Sequence, residues 1–421
     1  MHALVRAAAL GLVRLAYPVR SVHGDVPADG PLIVVANHPN GLLDPLVLTV
    51  ALGRPMAFLA KHTLFHMPVL AQALPAFQAI PVTRAKEGDT SANTAMFARA
   101  RAHLAGGGWL ALFPEGVSHD ATRLLPLRTG AARIAHEAPP GTRILPVGLT
   151  YADKGLFRSR VSVHVGEPLE PSSTDDARAL TEQIAAALRA QILEADDATL
   201  WHGFRAAAAW LAEPGEDRSS ADRRARDLSA AWRAADPDVR ERLAEEARAL
   251  SARLRALGVE DPLLLDAGVP GPAAVLRAVT PLVLLAPLAV IGTLLCWVPY
   301  RLARTVAGRL TQDADQLLTM KLVAGSVLLG AWWLLLAAAA AWTAGAPYAL
   351  ATLLLAPASG YTALRWDERR TARGAHGRAA WILLTARGTA DAVRVARRDF
   401  AAHVAAALAE AGQSPAPDCT A

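Results

Sequence analysis

The sequence predicts an α/β domain, a central sheet flanked by helices, followed by a helical linker and a helical membrane region. Three observations carry this reading. Short apolar runs alternate with helix-like segments between residues 30 and 170. From 171 to about 262 the pattern turns helical and charged, as in "VRERLAEEARALSARLRALG". Residues 278–300 and 322–364 then carry no charge, whereas the first 270 residues are charged throughout.

Taken in order, the amino-terminal stretch "MHALVRAAALGLVRLAYPVR" has Arg6 and Arg14 inside its apolar run and no clean small-residue cleavage site. A helix over residues 1–22 lying in the membrane interface fits it better than a signal peptide. Residues 23–175 form the α/β domain. Its strand candidates are "LIVVA" (32–36), "AIPVT" (79–83), "WLALF" (109–113), "RILPVGL" (143–149) and "VSVHV" (161–165). Before the third run, Met96, Ala100 and Leu104 share one helical face that ends in a glycine stop. Alternation of this kind places several strands side by side. Residues 176–272 read as charged surface helices broken at "EPGED" and "ADPD".

Residues 273–364 read as the membrane region. A helix needs about 20 apolar residues to cross the hydrocarbon core. The stretch 278–300 has the length of one span and 322–364 that of two, broken around Gly345-Ala346-Pro347. Residues 365–421 form a basic helical tail. Arg301, Arg304, Arg309 and Lys321 flank the first stretch, and Arg365, Arg369, Arg370 and Arg373 follow the second. Positive flanks mark the cytoplasmic side. Both flanks lie inside if 322–364 crosses twice and 278–300 is re-entrant, bent at Pro281, Pro287 or Gly292.

The net charge of +5 suits anionic lipid. The arginines are scattered and no nucleic-acid motif occurs, so nucleic acid is not the expected partner. Two cysteines, Cys296 and Cys419, make neither a disulfide framework nor a cysteine metal site. The twelve histidines are dispersed, and His62 and His66 in "AKHTLFHMP" read as part of a lid or membrane-facing helix. No metal is expected.

The chemistry concentrates at strand ends. In "VANHPNGLLDP" (35–45), His38 follows an apolar strand, at the edge where open α/β sheets bind ligands. "PNG" is a turn signature, and Asp44-Pro45 suits the start of a helix. The turn can fold Asp44 back on the imidazole, which a regular helix would not allow at this spacing. A carboxylate on one ring nitrogen fixes the tautomer and leaves the other as a base. "FQAIPVTR" ends in Arg84, at a turn where a guanidinium can grip a phosphate or simply be solvated. "WLALFPEGVSH" carries Glu115 out of a strand. "ILPVGLTY" holds a proline that points to a bulge or an edge facing a ligand.

"NHPNGLLDP", "AIPVTR", "FPEG" and "ILPVGL" resemble, in order and spacing, the four motifs of the glycerophosphate acyltransferase family. The resemblance covers about residues 20–170. "FPEGVSHD…LPLRTGAARIA" and the lead-in "LCWVPYRLA" are most similar to the glycerol-3-phosphate and dihydroxyacetone-phosphate acyltransferase branch, which carries a carboxyl-terminal membrane region. Two departures stand out. Five residues separate His38 from Asp44 where four are commonest, and Val117-Ser118-His119 replaces the usual arginine after "FPEG".

The resemblance implies an acyltransferase in which His38 is the general base and Asp44 orients it. Arg84 would bind the acceptor phosphate, and Glu115 with the Gly116 backbone would position the glycerol. Arg123, Arg128 or Arg133 would replace the missing arginine, a choice the resemblance leaves open, with Arg128 taken among the substrate-binding residues. No cofactor is implied beyond an acyl-CoA or acyl carrier protein thioester as co-substrate. The acceptor would be glycerol-3-phosphate or dihydroxyacetone phosphate, with lysophosphatidate as the alternative. The expected setting is integral to the cell inner membrane, with the catalytic domain cytoplasmic. A non-catalytic membrane scaffold or transporter is the distant alternative, and the lack of ionisable residues in the apolar stretches speaks against transport.

Overall fold

A computed structural model of the chain describes residues 2–413 except 18, 67, 84–92, 155, 173–175, 213–218, 260 and 311–313. The chain divides into two compact units. One comprises Met1–Trp201 with Thr311–Leu322, the other His202–Leu310 with Val323–Ala421.

The first unit is built on a sheet of seven strands: β1 (Val19–His23), β2 (Leu32–Ala36), β3 (Ala57–Lys61), β4 (Ile80–Val82), β5 (Trp109–Leu112), β6 (Arg143–Tyr151) and β7 (Val161–Val165). Their spatial order is β1-β7-β6-β2-β5-β3-β4. Every neighbouring pair is parallel except β6 and β7, which run antiparallel. The helices of this unit are α1 (His2–Ala16), α2 (Asp44–Ala51), α3 (Pro68–Ala73), α4 (Asn93–Ala105), α5 (Gly130–Glu137), α6 (Ala177–Arg189) and the start of α7 (Ala198–Trp210).

All five residues of β2 are buried, as expected of a parallel strand covered on both faces. Leu32, Val34 and Ala36 belong to one core with Leu48 of α2 and Val13 of α1. Ile33 and Val35 face the other core, with Ala100 of α4, Ile134 of α5 and Leu180, Ile184 and Leu188 of α6. The period-2 alternation of the strand thus feeds two layers of helices.

Several elements differ from the sequence reading. The helix expected over 1–22 ends at Ala16, and residues 19–23 join the sheet beside β7. Proline at 18 offers no N–H to continue a helix. β1 and β3 were not anticipated, because "VRSVH" is polar and "AFLAK" is rich in helix-forming residues. The first unit also reaches Trp201 rather than stopping at 175. Helix α6 is no surface linker, since its apolar face closes one side of the sheet.

Pro146 sits inside the sheet, opposite Val35 of β2. The missing N–H is tolerated because the ladder with β7 has just ended there. The Pro146 carbonyl accepts from Gly166, beyond the last strand residue, and the next pairing is a single bridge between Ile144 and Leu169. Gly148 has a separate role, because a Cβ there would lie 2.1 Å from the Gln191 carbonyl oxygen.

The second unit is helical: the rest of α7, α8 (Ser219–Ala234), α9 (Pro237–Leu257), α10 (Leu263–Asp266), α11 (Pro272–Leu310), the bulk of α12 (Ala314–Ala344), α13 (Ala346–Thr385) and α14 (Arg387–Gln413). Helix α9 starts at the Asp236 cap, with Pro237 in its first turn, and stops at Gly258 in the left-handed region.

The re-entrant bend expected over 278–300 is absent. Helix α11 runs unbroken for 39 residues through Pro281, Pro287 and Pro299. Proline removes one hydrogen bond but does not by itself reverse a chain. Pro299 leaves the Leu295 carbonyl without its helical donor, and the Trp332 indole supplies one at 2.8 Å. Among the described residues two helices, Pro272–Arg309 and Thr319–Ala344, are long and apolar enough to cross a membrane, and only 11% of the apolar stretch of each is buried. Helix α13 continues from its apolar half straight into the charged stretch beyond Arg365, so the basic tail has no break before it.

Candidate active site

Strands β2, β5, β3 and β4 are mutually parallel, so their carboxyl ends share one edge. Val35 pairs with Leu112. His38 and Glu115 each lie three residues beyond that pair, and the register alone brings them level. Asn37 prepares the exit of the chain. Its side chain donates to the Leu149 carbonyl at 3.0 Å and accepts from the Leu149 N–H at 2.7 Å, extending the sheet by one rung. Asn93 does the same for Thr83 at the end of β4.

After His38 the chain turns through Asn40 and one 3-10 turn, Gly41–Leu43, before α2 begins at Asp44. Gly41 takes φ of 47°, which suits glycine. Asp44 is the first helical residue rather than the cap, so its carboxylate is free to point backward. One oxygen, Oδ2, accepts from His38 Nδ1 at 2.9 Å and from the Asn40 N–H at 2.8 Å. The other, Oδ1, accepts from the Tyr151 hydroxyl at 2.6 Å. Asp44 is fully buried. A buried charge is tolerated only with such partners, and hydrogen bonds to an ionised acceptor are roughly twice as strong as neutral ones. With Nδ1 donating to a carboxylate, His38 keeps Nε2 as its proton acceptor.

The His38 ring stacks on Phe113, with centroids 4.1 Å apart and planes at 16°. Its main chain is clamped on both sides. The His38 N–H donates to Glu115 Oε2 at 2.8 Å, and its carbonyl accepts from the His119 N–H at 3.2 Å. Glu115 Oε1 accepts from His119 Nε2 at 2.7 Å and from the Leu125 N–H at 3.0 Å. Since His119 Nδ1 accepts from the Ala121 N–H, its proton is on Nε2. The Glu115 side chain is thus wholly enclosed by protein donors. It holds the loops that carry His38.

A cleft of about 510 Å³ opens beside His38. Its walls include Leu59, Val82, Phe97 and Ile134, and among the described residues its cations are Lys61, Arg128 and Arg133. Arg128 lies across Gly116, where a Cβ would come within 2.6 Å of its Nε. Gly116, at φ of 75°, is required on both counts. Arg133 rests over the Phe97 ring at 4.5 Å. Thr129 and Gly130 bring the start of α5 to the cleft as well. Arg123 points elsewhere, to the Ala195 carbonyl and the Asp196 carboxylate. Of the expected residues, His38, Gly116 and Arg128 therefore meet at the cleft, with Asp44 and Glu115 directly behind. Arg84 lies outside the described residues.

Three residues escaped the sequence reading. Tyr151, at the end of β6, touches Asp44. Tyr17 stands edge-on to it at 5.0 Å, and its hydroxyl accepts from Asn40 Nδ2 and donates to the Lys154 carbonyl, both at 2.7 Å. Lys154 reaches the carbonyls of Pro39 and His119. Burial pushes the Tyr151 hydroxyl well above the ordinary tyrosine range, and the Asp44 charge adds to it. Burial raises Tyr17 too, against the opposing Asn40 hydrogen bond.

The comparisons with known proteins concern this unit. The Acyltransferase family model matches residues 19–150. Glycerol-3-phosphate O-acyltransferase 1 of Saccharomyces cerevisiae is 41% identical over 73 residues, 16% of this chain and 10% of that protein. Lyso-ornithine lipid O-acyltransferase of Brucella abortus is 26% identical over 199 residues, 39% of this chain and 72% of that protein. Among solved structures, the 1-acyl-sn-glycerophosphate (LPA) acyltransferase PlsC from Thermotoga maritima shares 21% identity at a TM-score of 0.35, covering 44% of this chain and 78% of that one. The chain thus spans about a tenth of the length of the yeast relative. The matched stretch runs from β1 into β6 and contains His38, Asp44, Glu115 and Gly116: residues 19–150 form an acyltransferase-family domain.

Proposed function

We propose that the protein moves a fatty acyl group from an acyl thioester to a hydroxyl of glycerol-3-phosphate or dihydroxyacetone phosphate, in phospholipid synthesis. The observation that carries this reading is the His38–Asp44 pair at 2.9 Å beside a cleft lined by Lys61, Arg128 and Arg133. Nε2 of His38 removes the acceptor hydroxyl proton as the oxygen attacks the thioester carbonyl. The carbon–sulfur bond of the tetrahedral intermediate then breaks, and the imidazolium returns its proton to the leaving thiolate. Asp44 stabilises the imidazolium. A base in such a position contributes about 10²- to 10⁴-fold, the rest coming from alignment. Arg128, with Lys61 and Arg133, meets the acceptor phosphate, a role that the motif resemblance gives to Arg84 as well. Glu115 acts by holding His38 in place, and Gly116 lets Arg128 reach across it. A thioester is already activated, so the scheme requires no metal and no cofactor. The donor is acyl-CoA or an acylated carrier protein.

Helices α11 and α12 hold the enzyme at a bilayer, the cell inner membrane, with the acyltransferase domain on the cytoplasmic side where both substrates reside. Their exposed apolar surface supports this, as does the interfacial reading of α1.

A lyso-lipid acceptor, lysophosphatidate above all, is the second reading. The same base serves it, and the name of the Brucella relative describes a lyso-lipid acceptor. Purified protein in mixed micelles, given glycerol-3-phosphate, dihydroxyacetone phosphate and lysophosphatidate side by side, separates the readings. Preferential acylation of the first two supports the proposal. Exclusive acylation of lysophosphatidate replaces it.

A further inference from the structure

We propose that Tyr151 is a positioning residue for the His38–Asp44 pair, and that its hydroxyl sets the pH at which His38 becomes available as a base. This rests on the acyl-transfer reading of the site. Among the described residues, the donors on the Asp44 carboxylate are His38 Nδ1, the Asn40 N–H and the Tyr151 hydroxyl. The first two share Oδ2, so Tyr151 alone serves Oδ1. Its hydroxyl fixes the rotation of the carboxylate and leaves Oδ2 aimed at the imidazole.

Tyr17 packs against the same ring but makes a useful contrast. Its hydroxyl proton goes to the Lys154 carbonyl, so it gives Asp44 nothing directly. The other ionisable groups near the pair are also occupied elsewhere. Glu115 holds the His38 amide and His119 holds Glu115. Lys154 binds the Pro39 carbonyl and the Asp120 carboxylate. Asp153 acts on Tyr17 only through its charge. Lys61, Arg128 and Arg133 line the cleft in front of His38.

Removing a donor from a buried anion makes that anion bind protons more tightly. Either the imidazolium is retained as its counter-charge or the carboxylate itself is protonated, and both outcomes withhold the base. A hydrogen bond to a charged group is strong enough to move such an equilibrium by about one pH unit. Tyr151 is well suited to the task, since its burial keeps it protonated, and therefore donating, across the whole working range.

The test uses the full-length protein with Tyr151→Phe and Tyr17→Phe. Two curves are recorded against pH: kcat/KM with glycerol-3-phosphate and acyl-CoA, and the rate at which diethyl pyrocarbonate modifies His38, followed by peptide mass spectrometry. The second needs no turnover, with His38→Ala as its blank. In Tyr151→Phe both acid limbs should move up by about one pH unit, with activity recovering at higher pH. Those of Tyr17→Phe should stay in place. Unmoved curves in Tyr151→Phe, or an equal shift in Tyr17→Phe, would overturn the proposal. A shifted modification curve in a protein that acylates none of the acceptors would sink the acyl-transfer reading and leave the role of Tyr151 standing. Should Tyr151→Phe not fold, 3-fluorotyrosine at 151 keeps the shape and donates more strongly, so the modification curve should move down instead. An unmoved curve there would contradict the proposal equally.

Discussion

Asp44 in the acyltransferase domain and the Leu295 carbonyl in the helical unit pose the same physical problem. Each is an acceptor removed from its ordinary partner, and each is satisfied. Leu295, orphaned by Pro299, is met by one side chain, the Trp332 indole. Asp44 is met by the turn after β2 and by Tyr151, 107 positions away in the chain. One donor repairs a helix. Several donors, drawn from separate elements onto a single buried carboxylate, build a site. The surroundings differ in the same sense. Polar groups converge at one sheet edge in the first unit, while the long helices of the second expose Leu284, Leu294, Leu334 and Leu354 and bury little of their apolar surface.

That contrast can be broken in the cleft first. Arg128→Ala should raise KM for the phosphate-bearing acceptor about 10- to 100-fold, because a charge-assisted contact is lost, with little change for the acyl donor. Arg123→Ala should leave both constants near wild type, since Arg123 already pairs with Asp196. Steady-state kinetics with each substrate varied in turn checks this. An equal rise for both substrates in Arg128→Ala would make Arg128 structural.

A smaller effect is expected from the two buried tyrosines in alkali. Their hydroxyls ionise far less readily in the fold than at the ordinary value of 10.0 that holds once the chain unfolds. The stability this confers is complete below pH 10 and is lost as the pH rises above it. The loss should proceed at about 1.4 kcal/mol per pH unit for each tyrosine. Thermal unfolding of the solubilised protein between pH 9 and 11 should therefore be less steeply pH-dependent in Tyr151→Phe than in wild type. Parallel curves would show that Tyr151 ionises freely in the fold.

The smallest change belongs to the helical unit. Trp332→Phe keeps an apolar ring but removes the donor to Leu295, so it should lower stability by about 1–3 kcal/mol without altering kcat. Loss of activity at unchanged stability would mean that this unit contributes to the chemistry.

How much was legible in the sequence follows the same division. His38 and Asp44 could be read because a strand end, a turn signature and a helix start fall within one short stretch. The resemblance left Arg123, Arg128 and Arg133 open, and the structure separates Arg128 from Arg123 by the direction each takes. Tyr151 closes "ILPVGLTY", but nothing local ties a strand-end tyrosine to an aspartate so far upstream. His119 occupies the place where the usual motif has another residue, and only folding shows it bound to Glu115. The proline of the same strand points to a bulge or an edge facing a ligand, yet Pro146 is accommodated inside the sheet by the early end of β7. In the second unit hydropathy located the apolar stretches. It could not show that α11 continues through three prolines, since the Trp332 indole that satisfies Leu295 comes from another helix. Strands β1 and β3 and helix α6 were missed or misplaced because their burial is set by tertiary neighbours.

In the proposed reaction His38 Nε2, held by Asp44, is the base for acyl transfer. Purified His38→Ala, compared with wild type for acyl transfer from acyl-CoA to glycerol-3-phosphate in mixed micelles, tests it most directly. Turnover should fall by at least about 10²-fold while the melting transition stays close to wild type. A folded His38→Ala protein that keeps more than about a hundredth of wild-type turnover would mean that His38 is not the base.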